Sequence, residues 1–487
     1  MGGMKTHADL SRLTGRAPLL ALAGALALAC ATSGRPPAEA AAPTAPTEVA
    51  SPAPTPAAPP PAFEPPRSPP LRPLRPEPPG VKVLARAELS AVGDVLMHGA
   101  VKDAAADHRT PSDPDGFSWL WAPVADLLGA SDLTFANLET PVAPRAGHGT
   151  KSFVFNAPPT VPVALRRAGV KLVSVANNHA FDQGRKGFEE TLAEVAAAGL
   201  LEVGAGEEGR EAGPRFVEVN GLRLAFLGYA QFFNQDGNAC PAATKGGPPC
   251  LRASVLDPDR AVEDVRRAAA AADAVVVSLH WGEEYQKSPR EEDVLLAHRL
   301  AEAGALLVLG HHPHVLQPIE LYPCSDGRLA LIAYSLGNFI SNQSRNYESG
   351  VTPDPVAAPR DGALLRVEIV RRDYGRGVTR VELGAAGFLP LWTENDTADP
   401  ERRLRGTRPA IQVVSLDRAL AAVRSRLSEL PDPVPPEEAK EYIRLRRREE
   451  LYQRRVSAIA EVLGEDLELK APPPPERGEE RAAEAAP

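Results

Sequence analysis

Ten histidines occur in the chain, and three of them, His311, His312 and His314, fall within four positions after the apolar run 305–309. The run is short and bounded by Gly310 and Pro313, which reads as a buried strand. A strand ending in Gly-His-His-Pro-His delivers imidazoles to the carboxyl edge of a sheet, where α/β proteins place ligands. Alternate residues of an extended segment point to opposite sides. His312 and His314 are therefore expected to share a side, with His311 facing away. Other apolar runs end in the same manner. Asp94 follows 89–92, Asn137 and Glu139 follow 133–136, Asn178 and His179 follow 171–175, and His280 follows 274–279. Carboxylate oxygen and imidazole nitrogen are ligands for divalent Zn, Mn or Fe. A bridging carboxylate surrounded by His and Asn can hold two ions about 3.5–4 Å apart, an arrangement used to hydrolyse phosphate esters. Singly, each residue also has a structural reading: Asp94 as a helix N-cap, Asn178 in a turn, His280 as a satisfied buried imidazole. Together, at nearly every central strand end, they point to one shared divalent-metal site.

The elements that must carry these residues follow from periodicity. Helical patterns cover 117–129, 161–168, 185–198, 258–272 and 290–303, alternating with the strands already named. Asn220-Gly221 predicts a tight hairpin turn within 216–229. Strands at 315–321 and 329–335 flank Ser325-Asp326-Gly327, and a further pair covers 363–370 and 378–383. Alternating strands and helices followed by hairpins define an α/β class with antiparallel additions. After Trp392 the pattern changes to charged helices at 417–428 and 436–463, then a Pro/Glu tail that cannot build a core. The expected organisation is a signal segment 1–30, a disordered tether 31–80, a folded domain 81–395, a helical extension 396–470 and a disordered tail 471–487.

At 487 residues, 43% hydrophobic and 24% charged, the chain has a globular average composition. A net charge of -9 without a basic stripe excludes nucleic acid as the main partner. Lys5, Arg12 and Arg16 precede an apolar run, 18–29, that is short for a membrane span and reads as an export signal. It stops at Leu28-Ala29-Cys30, which resembles a bacterial lipoprotein signal with Cys30 as the acylated residue; ordinary cleavage near Ala29 is the alternative. The Pro/Ala-rich stretch 31–79 would hold a domain away from the membrane. The expected location is the bacterial cell envelope, by a lipid anchor. Export permits disulfides. Cys240 and Cys250 bracket a Pro/Gly-rich loop and are the expected pair, leaving Cys324 as a free or buried thiol.

Six motifs in order carry a more specific resemblance. They are Gly93-Asp94, Asn137-Leu138-Glu139, Ala176-Asn177-Asn178-His179 with Asp182 and Gly184, His280-Trp281-Gly282 with Glu284-Tyr285, the segment 310–317, and Tyr334-Ser335-Leu336-Gly337-Asn338-Phe339. Together they resemble the CapA capsule-synthesis family, linked to poly-γ-glutamate and other capsule polymers and similar to calcineurin-like metallophosphoesterases. The resemblance implies a four-layer β-sandwich flanked by helices, with two divalent metals. It casts Asp94, Asn178, His280, His312 and His314 as ligands, His179 as the acid that protonates a leaving group, and Asp182 as its orienting partner. Leu96 stands where the phosphoesterase pattern has a His, so His98 is the nearest substitute ligand. Glu139 is the nearest candidate for the bridging carboxylate. Lys151 and Arg185 are candidate anion binders, with solvated surface charge as the alternative for each. The implied function is assistance in making an anionic surface polymer, from the polymer or a phosphorylated precursor, beside a synthesis or export complex and by a hydrolase- or transferase-like reaction. The alternatives are an exported phosphatase or phosphodiesterase, and a non-catalytic polymer-binding module.

Overall fold

Parallel pairing of short, wholly apolar strands organises the chain. The computed structural model describes residues 80–145, 153–241 and 249–464. Cys30, the signal, the tether, Lys151 and the Pro/Glu tail lie outside the described residues. The strands are β1 (Lys82–Val95), β2 (Leu133–Asn137), β3 (Val170–Ser174), β4 (Leu201–Val203), β5 (Ala205–Glu207), β6 (Arg215–Val219), β7 (Leu222–Ala230), β8 (Leu251–Ala253), β9 (Ala274–His280), β10 (Ala305–His311), β11 (Ile319–Pro323), β12 (Leu329–Ala333), β13 (Asn338–Ile340), β14 (Asp361–Asp373), β15 (Thr379–Asn395) and β16 (Ile411–Ser415). The α-helices are α1 (Gly99–Ala106), α2 (Ala125–Gly129), α3 (Thr160–Arg167), α4 (Gly184–Ala197), α5 (Pro258–Ala269), α6 (Glu291–Ala303), α7 (Pro400–Arg405), α8 (Leu416–Glu429) and α9 (Ala439–Leu463).

One sheet runs β16-β15-β14-β1-β2-β3-β4, with β13 added in parallel to β1; the other runs β11-β12-β10-β9-β7-β6. Strand alternation sorts the side chains into layers. Leu89, Ala91 and Phe135 of the first sheet meet Leu224, Phe226, Val276, Leu307 and Leu309 of the second in one buried cluster. Val92, Ala136 and Val173 point the other way, onto Val101, Trp121, Val161 and Phe188. Val275, Val277 and Val308 lie on the outer face of the second sheet against Val262, Val265, Ala297 and Leu300. The layers are thus helix, sheet, sheet, helix, the expected four-layer α/β sandwich. Parallel central strands are covered on both faces, which is why they read as continuous apolar runs.

Three local outcomes differ from the periodicity. The segment expected as one helix at 117–129 is a 3-10 turn over Phe117–Val124 and then α2, because Pro123 lacks an N–H and breaks regular helical bonding. The first strand extends back to Lys82, where it pairs antiparallel with β14 through exposed residues that carry no alternation signal. The boundary expected at 395/396 falls inside a sheet. β16 pairs with β15, and α8 and α9 contribute Leu416, Val423, Leu445, Tyr452, Ile459 and Leu463 to the inter-sheet cluster. Residues 396–464 therefore share the domain's core.

Cys240 and Cys250 form a disulfide with Cα atoms 6.0 Å apart. Cys324 is a buried free thiol, with Sγ 3.6 Å from the Ala301 carbonyl. Among the described residues, no helix is long and apolar enough to cross a membrane.

One buried ion pair ties α9 to the sheet. Arg455 donates from Nε to Asp361 Oδ1 at 2.9 Å, and both residues are buried. Burial pushes the Asp361 carboxyl up to about 6, against the pull of Arg455. A raised folded-state pKa means the native protein binds more protons than the unfolded chain, so this group's contribution falls as pH rises from about 4 through about 6. Arg455→Met removes the partner and leaves a carboxylate in the core, which should cost about 3–5 kcal/mol at neutral pH. The loss measured by urea unfolding should be smaller at pH 5 than at pH 8, because Asp361 then takes a proton in place of the guanidinium.

Candidate metal centre

Register brings the chemistry together. In the first sheet Asp94 pairs with Asn137 and Asn137 with Ser174; in the second His311 pairs with His280 and Tyr229 with Leu279. The parallel strands of both sheets therefore end level with one another. Two glycines let a loop enter between those ends. A Cβ on Gly93 would lie 1.9 Å from Gly337 O, and one on Gly310 would lie 1.8 Å from Tyr334 O. That closeness permits Asp94 N–H to donate to Gly337 O at 3.0 Å and Leu336 N–H to Gly310 O at 3.1 Å. The segment 334–338 thus stitches the two sheets together directly beneath the site.

Asp94 is fully buried and lies at the centre of the contacts. Its Oδ1 accepts from Asn137 Nδ2 at 2.8 Å and lies 3.3 Å from His311 Nδ1. Its Oδ2 is 3.1 Å from His314 Nδ1 and 3.3 Å from the His312 backbone N–H. Burial raises the carboxyl, but the His311 and His314 contacts outweigh it and hold Asp94 well below the usual carboxylate range. Glu139 is the opposite case. Burial, then the charges of Asp94 and Glu284, push its carboxyl well above the usual range. Neither Glu139 oxygen meets a hydrogen-bond donor among the described residues. His280 Nε2 lies 2.9 Å from Asn178 Oδ1 and 3.6 Å from Glu139 Oε1, while Nδ1 lies 3.2 Å from Asn137 Nδ2. Burial, then the neighbouring His312, holds His280 well below its ordinary value and so neutral. Burial and the adjacent His314 likewise lower His312 to about 4.

These residues fit a divalent cation. Asp94, Glu139 and His280 form one group with ligand atoms within 4.8 Å of one another, and Glu139, His312 and His314 form a second. Glu139 belongs to both groups, which is the position expected of a bridging carboxylate. Its orphaned oxygens and the orphaned Nδ1 of His312 are what a cation would satisfy, since a buried carboxylate needs a partner or a proton. Neutral imidazoles beside carboxylates suit Zn, Mn or Fe.

The expected residues fall into place unevenly. Asn178 lies at the site through His280. His179 is outside both groups, with Nδ1 2.8 Å from Asp182 Oδ2, which also accepts the Phe155 N–H at 2.7 Å. His98 belongs to neither group. Its Nδ1 accepts the Asn342 N–H at 3.2 Å, its ring meets Phe155 edge-on at 5.0 Å, and it lines a cleft beside the site. His98 also precedes α1 as its N-cap residue, so Asp94 does not cap that helix. Arg185 is half-buried and donates to Cys250 Sγ at 2.7 Å, bracing the disulfide loop.

His311 does not face away. It is buried and within 3.3 Å of Asp94. Alternation ends at His311 because the backbone turns left-handed at His312 (φ 97°) and His314 (φ 58°), so a strand-parity rule does not apply beyond β10. Two amides hold candidate ligands in place. Asn137 joins Asp94 to His280, as described. Asn338 places Oδ1 3.1 Å from His314 Nδ1 while its Nδ2 donates to the His314 and Pro359 carbonyls at 3.2 and 2.8 Å. Their signal was the motif context alone, because an Asn at a strand end looks equally like a turn residue.

A helix–sheet–sheet–helix sandwich with carboxylate, amide and imidazole side chains gathered at its parallel strand ends defines a metallophosphoesterase-like protein. Comparison with known proteins narrows this. The family model described as bacterial capsule synthesis protein PGA_cap matches residues 88–343, and the chain belongs to that family. It is 32% identical to the PGA biosynthesis protein CapA of Bacillus subtilis (strain 168) over 65% of this chain and 77% of the relative. It is 33% identical to the capsule biosynthesis protein CapA of Bacillus anthracis over 60% of this chain and 66% of the relative. A probable polyglutamine synthesis accessory protein of Mycobacterium tuberculosis is 31% identical over 43% of this chain and 57% of that protein.

The shared position of Glu139 makes a stoichiometric prediction. Glu139→Gln should abolish tight transition-metal retention, measured by elemental analysis after dialysis. Asn338→Ala, which releases the His314 ring together with the bonds to the His314 and Pro359 carbonyls, should weaken metal affinity by about 10–100-fold.

Proposed function

We propose that this protein acts in the bacterial cell envelope and assists the synthesis of a capsule or poly-γ-glutamate-type surface polymer through a metal-dependent hydrolase- or transferase-like site. The observation that carries the reading is Glu139, buried without a donor and common to two ligand groups, in a chain that belongs to a capsule-synthesis family. A divalent cation held there supplies positive charge that stabilises a developing oxyanion and makes a water molecule more acidic.

The chain's own residues supply the rest. Asp182 holds His179 through Nδ1, which leaves Nε2 to carry the proton given to a leaving group. The Phe155 ring packs on His179 at 4.6 Å and shields it from water. Asn178 and Asn137 fix the His280 ring from its two nitrogens, and Asn338 fixes His314. The substrate is an anionic polymer or its phosphorylated precursor, and Cys30, as an acylated residue, would keep the domain at the membrane beside the polymer-synthesis machinery.

Two experiments test this. A deletion strain should lose surface polymer and regain it with the wild-type chain but not with Glu139→Gln; normal polymer in the deletion strain rejects the role. In the purified protein, His179→Ala should lower turnover of an activated phosphodiester by about 10²–10⁴-fold while leaving metal content unchanged. Turnover of such esters together with normal polymer in the deletion strain would mark the protein as an exported phosphodiesterase instead.

A further inference from the structure

A cleft of about 1150 Å³ opens beside the metal centre on the side of His98. It exceeds the few hundred to about 1,000 Å³ that encloses a drug-sized molecule, so its natural occupant is longer than a single monomer. Its chemistry is one-sided. Lys287 and Arg345 line it, and no Asp or Glu does among the described residues. Most arginines among the described residues are ion-paired, yet neither of these exposed cations has a carboxylate partner there. His98, lowered to about 4 by burial, adds a neutral ring to the wall. The lining also includes Gln286, Asn342, Gln343 and Asn346, which can both donate to and accept from amides or hydroxyls.

Backbone strain marks the same place. Among the described residues, the non-glycine residues with left-handed backbone are Phe153, Asn220, Tyr285, His312, His314, Ser344 and Arg376. Phe153, Tyr285 and Ser344 line the cleft, and His312 and His314 belong to the metal centre. Such conformations cost free energy and persist where function holds them. Phe153 and Tyr285 also keep 78% and 50% of their surface exposed, so both rings present apolar surface to an occupant of the cleft. The cleft is also linked to the ligands. Gln343 Nε2 donates to Tyr285 OH at 3.2 Å, and its Oε1 accepts at 2.8 Å from Asn338, the residue that fixes His314.

We propose that this cleft is the substrate channel for an extended polyanion, with Lys287 and Arg345 binding successive anionic groups and Tyr285 and Phe153 covering the chain between them. The proposal rests on the functional reading above and names the substrate class of the same site. The repeating charge could be carboxylate or phosphate, and the shared chemistry is a flexible oligomer with one negative charge per unit.

The test is equilibrium binding of fluorescently labelled γ-glutamate oligomers to the full chain, with polyphosphate and a neutral dextran oligomer in parallel. The double variant Lys287→Ala/Arg345→Ala should weaken anionic-oligomer binding by about tenfold or more and flatten its salt dependence. Metal content should stay unchanged, and Lys287→Arg should retain binding. Loss on the γ-glutamate arm assigns carboxylate, and loss on the polyphosphate arm alone assigns phosphate. Unchanged affinity in the double variant, or dextran binding as tight as the polyanions, overturns the proposal. If a deletion strain makes normal polymer while the purified chain still binds polyanions through these residues, the functional reading fails and the channel stands. If deletion abolishes polymer but binding ignores Lys287 and Arg345, the reading stands and the channel fails.

Discussion

The structure depends on two carboxylates placed out of reach of water at the meeting point of two sheets. Asp94 is satisfied by an amide and by imidazoles; Glu139 meets no hydrogen-bond donor among the described residues. Leaving an ionised carboxylate in that state costs several kcal/mol, so the group must hold a proton or face a cation. Around it burial keeps the imidazoles of His280 and His312 neutral, aided by His312 beside the first and His314 beside the second. Neutral nitrogen and unsatisfied carboxylate oxygen are together an environment poorly suited to stability alone and well suited to a divalent ion. Most of the surrounding architecture can be understood as holding that arrangement in place.

Holding it in place requires both sheets at once. No single strand supplies more than a few of the groups, and Asp94 contacts residues more than two hundred positions away. The sandwich core sets the distance between the sheets, and the loop carrying Gly337 and Asn338 pins their ends together through backbone bonds on each side. The tightness of that stitch explains why glycine stands before Asp94 and before His311. Any side chain at either position would push a strand end off the loop and spoil the ligand spacing.

The C-terminal helices belong to the same logic. α9 fills the end of the inter-sheet cluster and anchors to Asp361 at the start of β14 through Arg455. The segment just before Asp361 includes Pro359, whose carbonyl accepts from Asn338. A helix whose charge pattern looks like that of a solvated extension is therefore packed two short steps from a candidate metal ligand. The Arg360 guanidinium, 4.3 Å above the Trp392 ring with Nε on the Thr393 carbonyl, holds the neighbouring strand in the same corner.

Local chemistry made part of this legible in the sequence alone. Continuous apolar runs identified the central parallel strands, since strands covered on both faces must be apolar throughout. The polar residues that end them announced the site, and Asn220-Gly221 announced its hairpin. Other features had no local cause. His311 joins the site because the chain leaves the strand at His312. His98 lies outside the ligand groups, with its Nδ1 on the backbone N–H of Asn342, far along the chain. Asn137 and Asn338 gained their roles from neighbours brought by the second sheet and the stitching loop. α9 reads from its sequence as lying outside the domain because exposed charge masks the few apolar residues it buries, and β16, five residues long, is too short a run to stand out. Residue type and periodicity determined which groups were available and which strands would carry them. Which of those groups meet was decided by the register of two sheets and by one tight loop, because metal geometry depends on distances between segments that the order of residues does not encode.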